Sequence, residues 1–328
     1  MEKRLIVLML VLAVALVGIT GCDKSSSEPE AVNEFDLVSA VGDQYYTNYT
    51  TASGEGVNVR ITAVFDILTD GDTSNDPFII DCRQPADYND KHIIGAVNIT
   101  PGNLVSKIED GTIPKDRKIL NVCYTGQSAS AATALLNMLG YEAQNLLFGM
   151  CGVDTSISGS DKWVKQIATD ERAGQMVSDE SVATETYDFP TLNTGEATAE
   201  EIMKARFSSY IGSGWGAISA NDVWDNPDDY FIINYWPADK YINPGHIPGA
   251  YQFTPKSSLK TTEKLNLLPT DKKVVVYCYT GQTSAQVVTY LKILGYDAYS
   301  LLYGVNGFDT NATSKYSVPT GDYSAILE

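Results

Sequence analysis

The sequence predicts two α/β domains, each a mainly parallel sheet flanked by helices. Three observations carry that expectation. Short apolar or β-branched runs alternate with helix-length segments, the alternation occurs twice at a shift of about 155 residues, and each occurrence sets the same phrase, "CYTGQ", between a strand and a helix.

The first 22 residues stand apart. Lys3 and Arg4 precede an apolar run from Leu5 to Val17, the pattern of an export signal and too short for a comfortable membrane span. The run leads through Ile19, Thr20 and Gly21 into Cys22, which resembles the lipobox of bacterial lipoproteins, in which the cysteine is lipidated and becomes the first residue. The alternatives are a plain signal peptide or a buried N-terminal helix. The expected order is a signal over 1–21, a flexible Ser/Pro/Glu-rich tether over 22–34, a first domain over 35–167, a linker over 168–198 and a second domain over 199–328. Each copy carries its own strand, loop and helix set, so each is expected to fold alone.

Within each copy the strands "KILNV" (118–122) and "KVVVY" (273–277) lead into the cysteine loop. A helix follows, with Ala131, Ala132, Leu135, Leu136 and Leu139 forming an apolar face in copy one and Val287, Val288, Leu291 and Leu294 in copy two. Gly140 and Gly295 close these helices, and "NLLF" and "SLLY" are the next strands. The cysteines thus fall at the carboxyl ends of strands, where parallel sheets bind ligands.

The net charge is −18, and it becomes −19 with 21 basic and 40 acidic residues once Glu2, Lys3 and Arg4 leave with the signal. Such a surface repels phosphate backbones and anionic headgroups, so no nucleic-acid partner is expected and membrane attachment would come from the lipid anchor. Five cysteines form no CxxC pair, and His92 and His246 are too few and scattered for a ligand cluster. No metal or cofactor is implied.

The chemistry lies in the repeated loop. A cysteine just ahead of a helix N-terminus meets several backbone N–H groups and the positive end of the helix dipole, which favour a thiolate. Gly126 and Gly281 permit the positive dihedral of such a loop, and the amides form a nest able to hold a thiolate, a persulfide or a small oxyanion.

These residues resemble the rhodanese-like sulfurtransferases. Copy one reads "FIIDCRQPADYNDKHIIGAVNITP", with the family's Asp-x-Arg and His-Ile-x-Gly-Ala elements at Asp81, Arg83, His92, Ile93, Gly95 and Ala96. Copy two retains His246, Ile247, Gly249 and Ala250. The resemblance spans roughly 60–155 and 216–310. It implies that Cys123 and Cys278 are nucleophiles that accept a sulfane sulfur as a persulfide. Their active-site loops are Tyr124, Thr125, Gly126, Gln127 and Ser128, and Tyr279, Thr280, Gly281, Gln282 and Thr283, with Asp81 and Arg83 in support.

Copy two departs from the pattern, with Asn234 and Trp236 in place of Asp81 and Arg83. On that ground Cys123 is expected to be the more acidic thiol and the main carrier. Neither loop holds Lys or Arg, so polysulfide or a protein persulfide suits it at least as well as thiosulfate. The related phosphatases and arsenate reductases end a longer loop in arginine, whereas Ala129 and Ser284 stand six positions after the cysteines here. A phosphoryl group would lack its bidentate partner.

Of the remaining candidates, His92 and His246 read as structural hydrogen-bonding residues, and Cys82 as buried. Cys151 is either a resolving thiol or a disulfide partner of Cys82. The sequence therefore supports an envelope sulfurtransferase, lipid-anchored on the periplasmic side of the inner membrane or at the outer membrane. It would pass sulfur from a small donor to a thiol or cyanide-like acceptor. The alternative is a weakly catalytic or non-catalytic accessory subunit of an envelope sulfur- or electron-transfer complex.

Overall fold

A computed structural model describes residues 33–328, apart from 168, 313–317 and 319. The expected signal, Cys22 and nearly all of the tether lie outside the described residues. Helix α1 (Glu34–Asn48) begins where Asn33 Oδ1 accepts the N–H groups of Phe35 at 3.1 Å and Asp36 at 3.4 Å, satisfying two donors that the first helical turn leaves unpaired.

Copy one then runs β1 (Asn58–Val59), α2 (Ile61–Leu68), β2 (Phe78–Asp81), α3 (Pro85–Asp90), β3 (Val97–Asn98), α4 (Leu104–Glu109), β4 (Ile119–Val122), α5 (Gln127–Met138), β5 (Ala143–Leu146) and α6 (Lys162–Ile167). Copy two follows with α7 (Ala199–Ile211), β6 (Ala217–Ile218), α8 (Ala220–Asp225), β7 (Tyr230–Asn234), α9 (Ala238–Ile242), β8 (Tyr251–Gln252), β9 (Lys273–Tyr277), α10 (Gln282–Ile293) and β10 (Ala298–Leu301). Each copy makes one five-stranded, wholly parallel sheet, in the orders β1-β5-β4-β2-β3 and β6-β10-β9-β7-β8. The central strands β4 and β9 are fully apolar and buried, except for the buried Asn121 of β4 and the exposed Lys273 that opens β9. They deliver Cys123 and Cys278 to the carboxyl edges of the sheets.

Helices α5 and α10 pack against each other more extensively than any other pair of elements. That contact explains why nearly every residue of both is buried: one face meets the helix's own sheet and the other meets the opposite copy. A single core cluster accordingly runs through both copies, joining Val38, Leu135 and Ala143 to Phe207, Val288 and Tyr290. Two self-contained halves were expected from the repeat; residues 33–328 instead form one compact unit.

Two straps complete the assembly, each crossing to the other copy. Leu327 pairs antiparallel with Ile93, while Tyr323 and Ile326 enter the outer core of copy one. Val177, within the expected linker, pairs with His246 in both directions at 2.9 and 2.8 Å, and Met176 packs on the outer core of copy two. No helix among the described residues is long and apolar enough to cross a membrane.

Candidate active site

Both cysteine loops have the local form that the sequence predicts. Gly126 and Gly281 stand at φ +76° and +80°, immediately before the first residues of α5 and α10. A short segment after the last strand closes on each loop: Met150 N–H donates to the Cys123 carbonyl at 2.8 Å, and Val305 N–H donates to the Cys278 carbonyl at 3.0 Å. Gly149 and Gly304 sit so close to these carbonyls that a Cβ at either would collide with them.

The sulfur environments differ. Cys278 Sγ receives the Ser284 N–H at 3.4 Å and lies 3.5 Å from Ser284 Oγ. Ser284 Oγ is 2.8 Å from Ser300 Oγ, which reaches the Gly281 carbonyl at 3.4 Å. If Ser300 donates to that carbonyl, Ser284 donates to Ser300 and is free to accept from the thiol. The backbone N–H belongs to the first turn of α10, where the helix dipole favours negative charge. In copy one Ala129 and Asn145 occupy the corresponding positions, so the hydroxyl chain has no counterpart. Ser284 and Ser300 were not among the residues singled out from the sequence, where Ser284 was read only as a missing arginine. A serine facing inward from a buried parallel strand was the signal for Ser300.

Asp81 and Arg83 form the expected pair, fully buried. Arg83 Nε donates to both carboxylate oxygens at 3.1 Å, and Nη2 donates to Oδ2 at 2.8 Å and to the Lys91 carbonyl at 2.6 Å. These bonds fix the corner after β2 and the turn entering His92. The link to the cysteine loop runs through Tyr124. Its ring centroid lies 6.0 Å from the guanidinium carbon, and its hydroxyl donates to Asp87 and accepts the Gln84 N–H at 3.4 Å. Burial, reinforced by the bond to Asp87, pushes the Tyr124 phenol up to about 12. In copy two Asn234 Nδ2 donates to Tyr277 Oη at 2.8 Å, Tyr277 Oη accepts the Ile247 N–H at 3.1 Å, and Trp236 stacks on Tyr279 at 4.4 Å. The turn is held without an ion pair.

Both sulfurs are enclosed, with Cys123 1% and Cys278 4% exposed. Over the first loop lies the segment entering α6: Lys162 Nζ sits 3.7 Å from the Tyr124 ring centroid, and the fully buried Trp163 packs edge-on to Phe148 and to Tyr303 of copy two. The four described cysteines are unbridged. Burial raises the Cys82 thiol well above its usual range and pushes Cys151 up to about 11, which leaves little thiolate for a resolving role. His92 Nδ1 lies 2.9 Å from the Tyr88 carbonyl and His246 Nδ1 2.8 Å from that of Tyr241, each ring stacked on the same tyrosine. Both histidines brace their turns. No group of three or more His, Cys, Asp or Glu side chains among the described residues is placed to hold a metal ion.

The model of the rhodanese-like domain matches residues 66–152 and again 219–311. Among solved structures, a rhodanese-related protein from Thermoplasma volcanium is 29% identical over 28% of this chain and 89% of its own, with a TM-score of 0.26. A protein from Staphylococcus saprophyticus is 26% identical over 28% of this chain and 92% of its own, at a TM-score of 0.25. A thiosulfate sulfurtransferase from Pseudomonas aeruginosa is 12% identical over 81% of this chain and 46% of its own, at 0.28. No curated protein matches the chain.

Proposed function

Because the chain belongs to the rhodanese-like domain family, we propose that it carries sulfane sulfur as a cysteine persulfide, with Cys278 as the principal carrier. The observation that supports this is the bond from Ser284 N–H to Cys278 Sγ at the N-terminus of α10, backed by the serine hydroxyl chain. The Cys278 thiolate attacks the outer sulfur of a thiosulfate, polysulfide or protein persulfide. The S–S bond of the donor breaks, its remaining fragment leaves with the bonding pair, and Cys278 holds the transferred sulfur. A thiol or cyanide then attacks that outer sulfur and the Cys278 thiolate is restored. Ser284 N–H donates to the anionic sulfur at both stages, and once the thiol proton has left the Ser284 hydroxyl turns to donate to the sulfur as well, accepting in turn from Ser300 Oγ. Because Cys278 is enclosed, donor entry requires movement of the side chains packed around it, Trp236 and Tyr279 among them.

Intact-mass measurement of reduced protein after exposure to thiosulfate or polysulfide is expected to show one added sulfur atom, removed by cyanide. No persulfide on either cysteine with any of these donors would sink the proposal. The enclosure of Cys123, in a loop whose Tyr124 is covered by Lys162, favours a second reading, in which copy one is a binding module and the chain serves as an accessory subunit of an envelope complex.

The proposed location is the bacterial envelope, held by lipid on Cys22. A Cys22→Ser chain should remain unprocessed or be released as soluble protein. A processed Cys22→Ser form retained in membranes would refute it.

A further inference from the structure

Thr-Gly-Gln occurs in both loops, and its polar groups are engaged with the opposite copy. Gln127 Oε1 accepts the Tyr303 N–H at 2.7 Å, while Gln127 Nε2 donates to Thr125 Oγ1 at 3.0 Å. From the other side Gln282 Nε2 donates to the Thr125 carbonyl at 3.0 Å, and its Oε1 accepts the Thr280 hydroxyl. Each glutamine is 1% exposed, so these bonds form away from water, where an unpaired amide is most costly. Tyr303 directly precedes Gly304, which abuts the Cys278 carbonyl, so the N–H that Gln127 holds belongs to the wall of the second loop. Thr125 is two residues from Cys123. A Cβ at Gly281 would strike Gln127 Oε1, and one at Gly126 would lie 3.1 Å from Gln282 Nε2 and 2.7 Å from the Leu146 carbonyl. The glycines therefore admit the opposite glutamine as well as the loop's own backbone turn. Two tyrosines repeat the exchange: Tyr49, ahead of copy one, lies within electrostatic reach of Cys278, and Tyr303 of copy two within reach of Cys123.

We infer that each cysteine loop is completed by the other copy, Gln127 being a positioning residue for the Cys278 loop and Gln282 for the Cys123 loop. The inference rests on reading these cysteines as sulfur carriers. A nest of amides stabilises an anionic sulfur only while its N–H groups stay aimed at it. The duplicated phrase is thereby explained twice over, since cysteine and glycine serve the loop itself and glutamine serves its neighbour.

The test uses the full chain with Gln127→Met, which removes both bonds at similar volume. Site-resolved mass spectrometry follows two processes: alkylation by iodoacetamide across pH, and persulfide formation from polysulfide. Gln127→Met is expected to displace the Cys278 alkylation profile toward higher pH and to slow persulfide formation there about fivefold, the effect of roughly one lost hydrogen bond. Gln282→Met should do the same at Cys123. Tyr46→Phe is the control, since it deletes a hydroxyl bond to the Gln286 carbonyl at the same interface, makes no change to either glutamine, and leaves the ring stacked on Tyr49. An equal displacement by Tyr46→Phe, or an unchanged Cys278 profile in Gln127→Met, overturns the inference. Should Gln127→Met fold poorly, Gln282→Met carries the test at Cys123, and an unchanged Cys123 profile there likewise overturns the inference. Alkylation needs no sulfur donor, so displaced profiles without persulfide would refute the carrier reading and leave the glutamine roles standing.

Discussion

Ser284 decides more about Cys278 than the Asp81–Arg83 pair decides about Cys123. Arg83 directs Nε and Nη2 at the Asp81 carboxylate and the Lys91 carbonyl, while Nη1 is buried without a hydrogen-bond partner among the described residues, whereas the Ser284 N–H donates to the sulfur itself. We therefore expect Cys278→Ser to remove most sulfur transfer to cyanide and Cys123→Ser to remove little, the reverse of the ranking that the sequence suggests. Equal losses, measured as initial rates, would count against it. Ser284→Ala keeps the backbone N–H and loses the hydroxyl, so transfer should slow about fivefold, matching a contribution of ~1 kcal/mol, with the rate profile moved to higher pH. The cysteines, the loop glycines and the Asp81–Arg83 pair were legible in the sequence because each has a fixed local environment. Ser300 and the cross-copy role of Gln127 were not, because their partners lie on another strand or in the other copy, and periodicity reports only which face a residue occupies.

At the scale of elements, the strap from Ser324 to Glu328 behaves as part of copy one. Ile326 is 1% exposed among Ile93, Val153 and Ile157, and backbone bonds join His92 N–H to the Glu328 carbonyl at 2.9 Å and Ile94 N–H to the Ile326 carbonyl at 2.9 Å. Ile326→Ala should cost about 2–5 kcal/mol, the usual range for such a truncation in a core, read from denaturant melts. A loss below about 0.5 kcal/mol would mean that the strap is loosely held. Strands and helices at the centre of each copy could be assigned from their apolar runs. The straps could not, since they are short and irregular and acquire meaning only from the turns they pair with. Helix α5 was read as one-sided for the same reason: its second apolar partner, α10, lies 155 residues further on.

For the whole molecule the decisive fact is the common core. Cleavage near residue 185 should leave fragments that melt lower than the uncut chain and that stay associated on gel filtration, because separation exposes α5 and α10. Two monomeric fragments with unchanged cooperative melts would contradict this. The segment between the copies is also anchored: Glu34 accepts the N–H groups of Thr194 at 2.9 and 2.8 Å and of Gly195 at 2.9 Å. Burial raises the Glu34 carboxyl, but these bonds and the Thr194 hydroxyl outweigh it and hold the group below its ordinary value. A depressed carboxyl stabilises the fold above its unfolded value near 4.5 and loses that contribution as pH falls through the lower folded one. Glu34→Gln should therefore lower Tm at pH 7 and flatten its fall below about pH 4.5; a parallel fall in both proteins would exclude the contribution. Finally, the crossing straps set an order in time. Gly95 and the Glu328 side chain that holds it are 233 positions apart, so copy one cannot acquire its last core residues until the whole of copy two has been made. During synthesis the first half waits, incompletely closed, for Tyr323, Ile326 and Leu327 to leave the ribosome, so the half made first is the half completed last.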